Sequence, residues 1–147
     1  MEPGLDRTRR AEHLAFWSPL SLLELCTAVQ KGLCLPNFEY DRENETEWGT
    51  AVSGGIEYNI SRPYEEGTLQ RWDSSVPSDC NIGVFLSVSR APTEPRDADQ
   101  SATEIVLLVG QVLADLFGQP IYHHRTWLGP GKNVNRTNIF RPRLRVP

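Results

Sequence analysis

The chain is poor in the residues that mark specialised chemistry. Its 147 residues include three cysteines, three histidines and one methionine. Cys26, Cys34 and Cys80 form an odd set with no paired spacing. That pattern fits neither a disulfide framework nor a thiolate metal knuckle. All three read as buried, reduced thiols, which implies a reducing compartment. No apolar run approaches the roughly 20 residues of a membrane span. The longest, near Ile105, breaks at Ala114-Asp-Leu-Phe-Gly118. The first 19 residues carry Asp6, Arg7, Arg9, Arg10, Glu12 and His13, with no apolar centre of export-signal length. A cytoplasmic protein without membrane contact is the expectation. Gly129-Pro-Gly-Lys132 lacks the rest of a phosphate-loop pattern, and no helix signal follows it. No motif asks for a metal or a cofactor, so none is expected.

What is present is charge, unevenly placed. The formal charge is -4, from 15 basic and 19 acidic residues. Between Glu39 and Glu66 there are eight acids and two arginines; from Leu128 to Pro147 there are five basic residues and no acid. The first region repels phosphate backbones and attracts cations; the second does the reverse. The tail arginines Arg136, Arg141, Arg143 and Arg145 alternate with proline and apolar residues, without the aromatic spacing of a base-stacking platform. Contact with nucleic acid is expected only through this tail.

Length and pattern predict one domain. Residues 1–12 read as a flexible arm, 13–128 as a single α+β domain, and 129–147 as a basic Pro/Arg-rich tail. Ser18-Pro19 reads as a helix start, with the helix over Leu20 to Lys31 ended by Gly32. Strands are expected after Pro36 up to Tyr40, over Glu45–Val52, and over Ile56–Ser61, with a tight turn at Ser53-Gly54-Gly55. Thr68–Cys80 reads as a long loop. Asn81–Ser89 alternates best of all, and Ala91–Gln100 reads as a loop. Ser101-Ala-Thr-Glu104 has the form of a capping box ahead of an amphipathic helix through Leu116. Pro120–Trp127 reads as a last strand. The order is α-β-β-β-β-α-β: an antiparallel sheet of four to five strands with two helices on one face.

The acidic stretch Asp41-Arg-Glu-Asn-Glu-Thr-Glu-Trp48 carries acids at every second position. In one extended strand, Asp41, Glu43, Glu45 and Glu47 would share a face and Trp48 would point the other way. A helix would set like charges four residues apart, which is unfavourable. Three readings compete. The row is a solvated edge that deters strand pairing. Or it is a surface for a basic protein, with Trp48, Tyr58, Tyr64 and Trp72 nearby as aromatic anchors. Or it holds a divalent cation, although carboxylates spread along a strand do not converge. The other chemical candidate is Tyr122-His123-His124-Arg125. Adjacent histidines on a strand face opposite sides, so one of them would need a carboxylate such as Glu57, or Asp79 or Cys80, brought to it by the fold. Cys80 reads as a buried thiol rather than a nucleophile.

An acidic single domain in which Glu39–Glu66 is crossed by Trp48, Tyr58 and Tyr64 resembles small cytoplasmic immunity proteins that neutralise bacterial toxins. The resemblance spans about residues 30–120 and lies in composition rather than in a diagnostic motif. It implies stoichiometric binding to a cognate toxin, a basic protein, whose active site the acids occupy or block. The arginine-rich tail departs from a purely acidic decoy. The expected partner-binding residues are Asp41, Glu43, Glu45, Glu47, Tyr64, Glu65, Glu66 and Trp72. The alternatives are a small hydrolase-like enzyme using His123 or His124 with Glu57, and a structural or adaptor subunit of a larger assembly.

Overall fold

The computed structural model describes residues 10–73, 76–88, 95–127 and 137–143. Its elements run β1 (Arg10–Phe16), α1 (Leu22–Leu33), β2 (Glu39–Arg42), β3 (Thr46–Ser53), β4 (Ile56–Pro63), α2 (Thr68–Trp72), β5 (Ile82–Val88), α3 (Pro95–Phe117), β6 (Ile121–Trp127) and β7 (Thr137–Phe140). The protein is α+β, and the described residues form seven strands in one sheet of order β2-β3-β4-β5-β1-β6-β7. Every neighbouring pair is antiparallel. The expected four to five strands become seven because β1 and β7 join at the β6 end. The sheet therefore reaches past both ends of residues 13–128. The arm over residues 1–9, the Gly129–Lys132 segment, Arg136 and Arg145 lie outside the described residues.

Helices α1 and α3 cover one face. Leu22, Leu25, Cys26 and Val29 from α1 meet Val106, Val109, Leu113 and Ala114 from α3 over Leu14, Phe16, Ile60, Ile82 and Ile121. Each fully buried aliphatic chain here stabilises the fold by about 1.5–3 kcal/mol. The short α2 is a third helix, and it packs on the other face. There Leu69 joins Ala15, Val76 and Cys80 in a much smaller cluster, with Tyr122 against it. The expectation of two helices on one face holds for α1 and α3 only.

Local chemistry explains the shifted boundaries. Ser21, not Ser18, caps α1: its side chain accepts from the Glu24 N–H while Glu24 accepts from the Ser21 N–H, a complete capping box. This contact holds the Glu24 carboxyl below the usual carboxylate range. The Ser18 hydroxyl instead accepts from the Leu20 N–H ahead of the helix. The helix runs through Gly32 to Leu33 and closes on Cys34, which adopts a left-handed backbone, φ 56°. Helix α3 begins at Pro95, so Ser101 lies inside it, and residues 95–100 are helical rather than a loop. Gly54 and Gly55 take positive φ and make the expected β3–β4 turn. Gly110 lets the Phe140 ring lie against α3; a Cβ there would sit 2.5 Å from Phe140 Cε2. Arg143 follows, donating two hydrogen bonds near 3 Å to Asp115, which holds that carboxyl down at about 2. No helix among the described residues is long and apolar enough to cross a membrane.

Candidate binding surface

The acidic row is not a straight strand. The Glu43 N–H donates to the Thr46 carbonyl at 2.8 Å and folds Glu43-Asn44-Glu45 into the β2–β3 turn. Asp41 and Trp48 become cross-strand partners, and partners in an antiparallel ladder share a face. This corrects the expectation that they point apart. Glu47 goes to the opposite, helix-covered face, in register with Arg42 on one side and Arg62 on the other. The four acids thus part three ways: one on the open face, two in the turn and one across the sheet.

The turn gains new neighbours instead. The Tyr64 N–H donates to the Glu45 carbonyl at 3.0 Å, extending the β3–β4 ladder past Thr46 and Pro63. That bond carries Tyr64, Glu65 and Glu66 alongside Glu43 and Glu45. Trp72, at the end of α2, donates its indole N–H to Glu45 Oε1 at 3.3 Å, and Arg71 approaches Glu45 Oε2 at 3.7 Å. The Arg71 pair is solvent-exposed, so it stabilises the fold little. Glu43, Glu45, Glu65 and Glu66 are all exposed, as are Tyr64 (53 %) and Trp72 (44 %). Of the eight expected partner-binding residues, six meet at this corner. Asp41 lies nearby on β2, and Glu47 lies on the other face.

The two histidines of β6 face opposite ways, as their positions require. His123 lies under α3 at 1 % exposure, with its Nε2 2.8 Å from Glu12 Oε1; Glu12 is buried to the same degree. The Phe140 ring lies 5.9 Å from it, centre to centre. On the far face His124 pairs in register with His13, which meets the Phe85 ring edge-on at 4.8 Å and approaches Asp73 at 3.7 Å. Burial pushes the pKa of both His13 and His124 down, partly opposed at each by the Asp73 charge. Glu57 is exposed on β4. Asn59, not Glu57, lies on the row Asn59–Phe85–His13–His124, so three strand spacings, about 14 Å, separate β4 from His124. The fold does not bring Glu57 to either histidine. His123 finds its carboxylate in Glu12, a partner the sequence did not suggest. Among the described residues, no group of three or more His, Cys, Asp or Glu is placed to hold a metal.

Of the thiols, Cys26 and Cys80 are buried and Cys34 is exposed, which corrects the expectation for one of the three. Burial is the main cause that pushes Cys26 and Cys80 up to about 12, far from a nucleophile's range.

A cleft of about 370 Å³ opens beside the acidic corner. Trp17, Arg62, Tyr64, Glu65, Glu66 and Asp79 line it, above the buried Leu69. Sequence alone gives Trp17 no role, because it stands directly before Ser18-Pro19, which reads as a helix start. Its one signal is an aromatic residue at the end of an alternating run. The chain was compared with protein-family models, curated proteins and solved structures, and it matches none of them.

Proposed function

We propose that this chain is a non-catalytic binding protein whose acidic corner takes a basic protein, in the way an immunity protein takes its toxin. One observation carries the reading. The Tyr64–Glu45 backbone bond joins two acidic segments into a single exposed surface bearing two large aromatic side chains. Clustered carboxylates raise the encounter rate with a cationic partner, and exposed aromatic residues supply contact area once it arrives. A histidine-based hydrolase is the weaker reading. His123 and His124 are each 1 % exposed, and a general base needs reach to its substrate.

The test is charge reversal in the hairpin turn. Wild-type chain immobilised on resin is to capture a basic protein from a lysate of the source cell. Association kinetics are then measured for that protein with wild type and with Glu43→Lys/Glu45→Lys. The association rate is expected to fall roughly tenfold or more at low salt, and its dependence on ionic strength to flatten. An association rate insensitive to both the substitutions and salt overturns the reading. So does a captured partner that is itself acidic.

A further inference from the structure

We infer that the cleft beside Tyr64 receives one arginine or lysine side chain of the basic partner. This rests on the binding reading above and adds where the partner anchors. The volume of about 370 Å³ lies at the lower end of the range for ligand sites, roughly 300–1,000 Å³, and suits one long side chain. Its lining has the three parts such a side chain needs. Leu69, Pro63 and Cys80 offer apolar contact to the methylene stem. Trp17 and Tyr64 offer rings to a cationic head, and an aromatic face attracts a cation electrostatically. Glu65, Glu66 and Asp79 supply three carboxylates. Among the described lining residues Arg62 is the one cation, and its guanidinium already donates to the Ser18 carbonyl at 3.3 Å. The described lining is left with net negative charge.

One aromatic residue of the cleft is also held in place before any partner arrives. Trp17 is 49 % exposed, yet its backbone is held on both sides. The Gln119 side-chain amide accepts from the Trp17 N–H at 3.2 Å and donates to the Trp17 carbonyl at 2.6 Å. The Asn81 amide treats Ser18 the same way, at 2.8 Å in each direction. The strand ladder ends at Phe16, and two side-chain amides from separate loops take over its work for two more residues. The result is a solvent-facing indole on a fixed backbone. Fixing an anchor before binding removes an ordering cost from the binding step.

The experiment titrates full-length protein, labelled for nuclear magnetic resonance, with N-acetyl-arginine methylamide and with the citrulline analogue, its uncharged near-isostere. The arginine compound is expected to shift the Trp17 indole signal and the Leu69 amide signal saturably, with millimolar affinity. The citrulline compound is expected to bind at least about threefold more weakly, and Glu65→Gln/Glu66→Gln to bring arginine down to the citrulline level. Trp17→Phe should keep the site and Trp17→Ala should lose it. Equal binding of the two compounds, or no shift from either, overturns the inference. The partner captured by the wild-type chain separates this inference from the reading it rests on. If Glu43→Lys/Glu45→Lys weakens that partner while Trp17→Ala and Asp79→Asn leave its affinity unchanged, the cleft is wrong and the acidic corner stands. If neither set changes the affinity, both fall. Loss in both sets supports both.

Discussion

The two faces of the sheet do different work with similar residues. The face under α1 and α3 holds a continuous apolar core and buries the Glu12–His123 pair within it. The face under α2 has a small cluster around Leu69, the half-buried His13 in register with the buried His124, and the acidic corner and cleft at its edge. One strand supplies a histidine to each. The contrast lies in the carboxylate each one meets: beneath two helices His123 is tied to the buried Glu12, and on the other face the equally buried His124 feels the charge of the half-exposed Asp73.

The sharpest way to break this comparison is to remove one half of the covered tie. Glu12→Leu withdraws the carboxyl from the buried His123, and removing one member of a buried hydrogen bond costs about 1–3 kcal/mol. Urea denaturation should show that loss; a change below about 1 kcal/mol would mean that the pair is not a structural tie. Cavity variants compare the two clusters directly. Leu113→Ala in the main core is expected to cost about 3–5 kcal/mol, and Leu69→Ala nearer 2, because the smaller cluster lies closer to solvent and collapses more readily. Equal losses would deny that the α2 face is the weaker one.

The histidine pair on the α2 face predicts a pH effect. Both His13 and His124 sit below their ordinary value of 6.5 in the folded state. The unfolded chain then binds more protons as pH falls through 6.5, so stability should drop below that pH and level off under the lowered folded values. A tenfold difference in proton affinity between the folded and unfolded chain corresponds to about 1.4 kcal/mol. Unfolding midpoints should decline from about pH 7.5 to pH 5, and His13→Gln/His124→Gln should flatten the decline. A decline that survives both substitutions assigns it elsewhere. The smallest expected stability change is in the hairpin turn. Glu43→Lys should alter folding stability by no more than about 0.5 kcal/mol, while its effect on partner association is large.

Some of this was open to reading in the sequence. Ile56–Ser61 and Asn81–Ser89 alternate cleanly, and the structure has β4 and β5 there. The first strand is not legible in the sequence, for a physical reason. Its core-facing residues are Glu12, Leu14 and Phe16, and its other face carries His13 and Ala15, so neither face reads as plainly apolar. The hairpin turn was hidden by its own composition, because acids at every second position imitate strand periodicity. Tyr64, Glu65, Glu66 and Trp72 could be named singly. Their meeting with Glu45 depends on the ladder of β3 and β4, which no local pattern encodes. The cleft needs residues from well-separated parts of the chain, Trp17 and Asp79 among them, and so lay beyond any window of sequence.

The left-handed residue that closes α1 has a practical use. Cys34 is the exposed thiol of the three, while Cys26 and Cys80 are buried and held up at about 12. At neutral pH a maleimide dye should therefore attach at one position without any engineering of the chain. Because the thiol hangs from a helix end with a fixed backbone, the attached dye reports from a known point. Energy transfer from that dye to a labelled partner would give a distance, and with it the direction from which the acidic corner is approached.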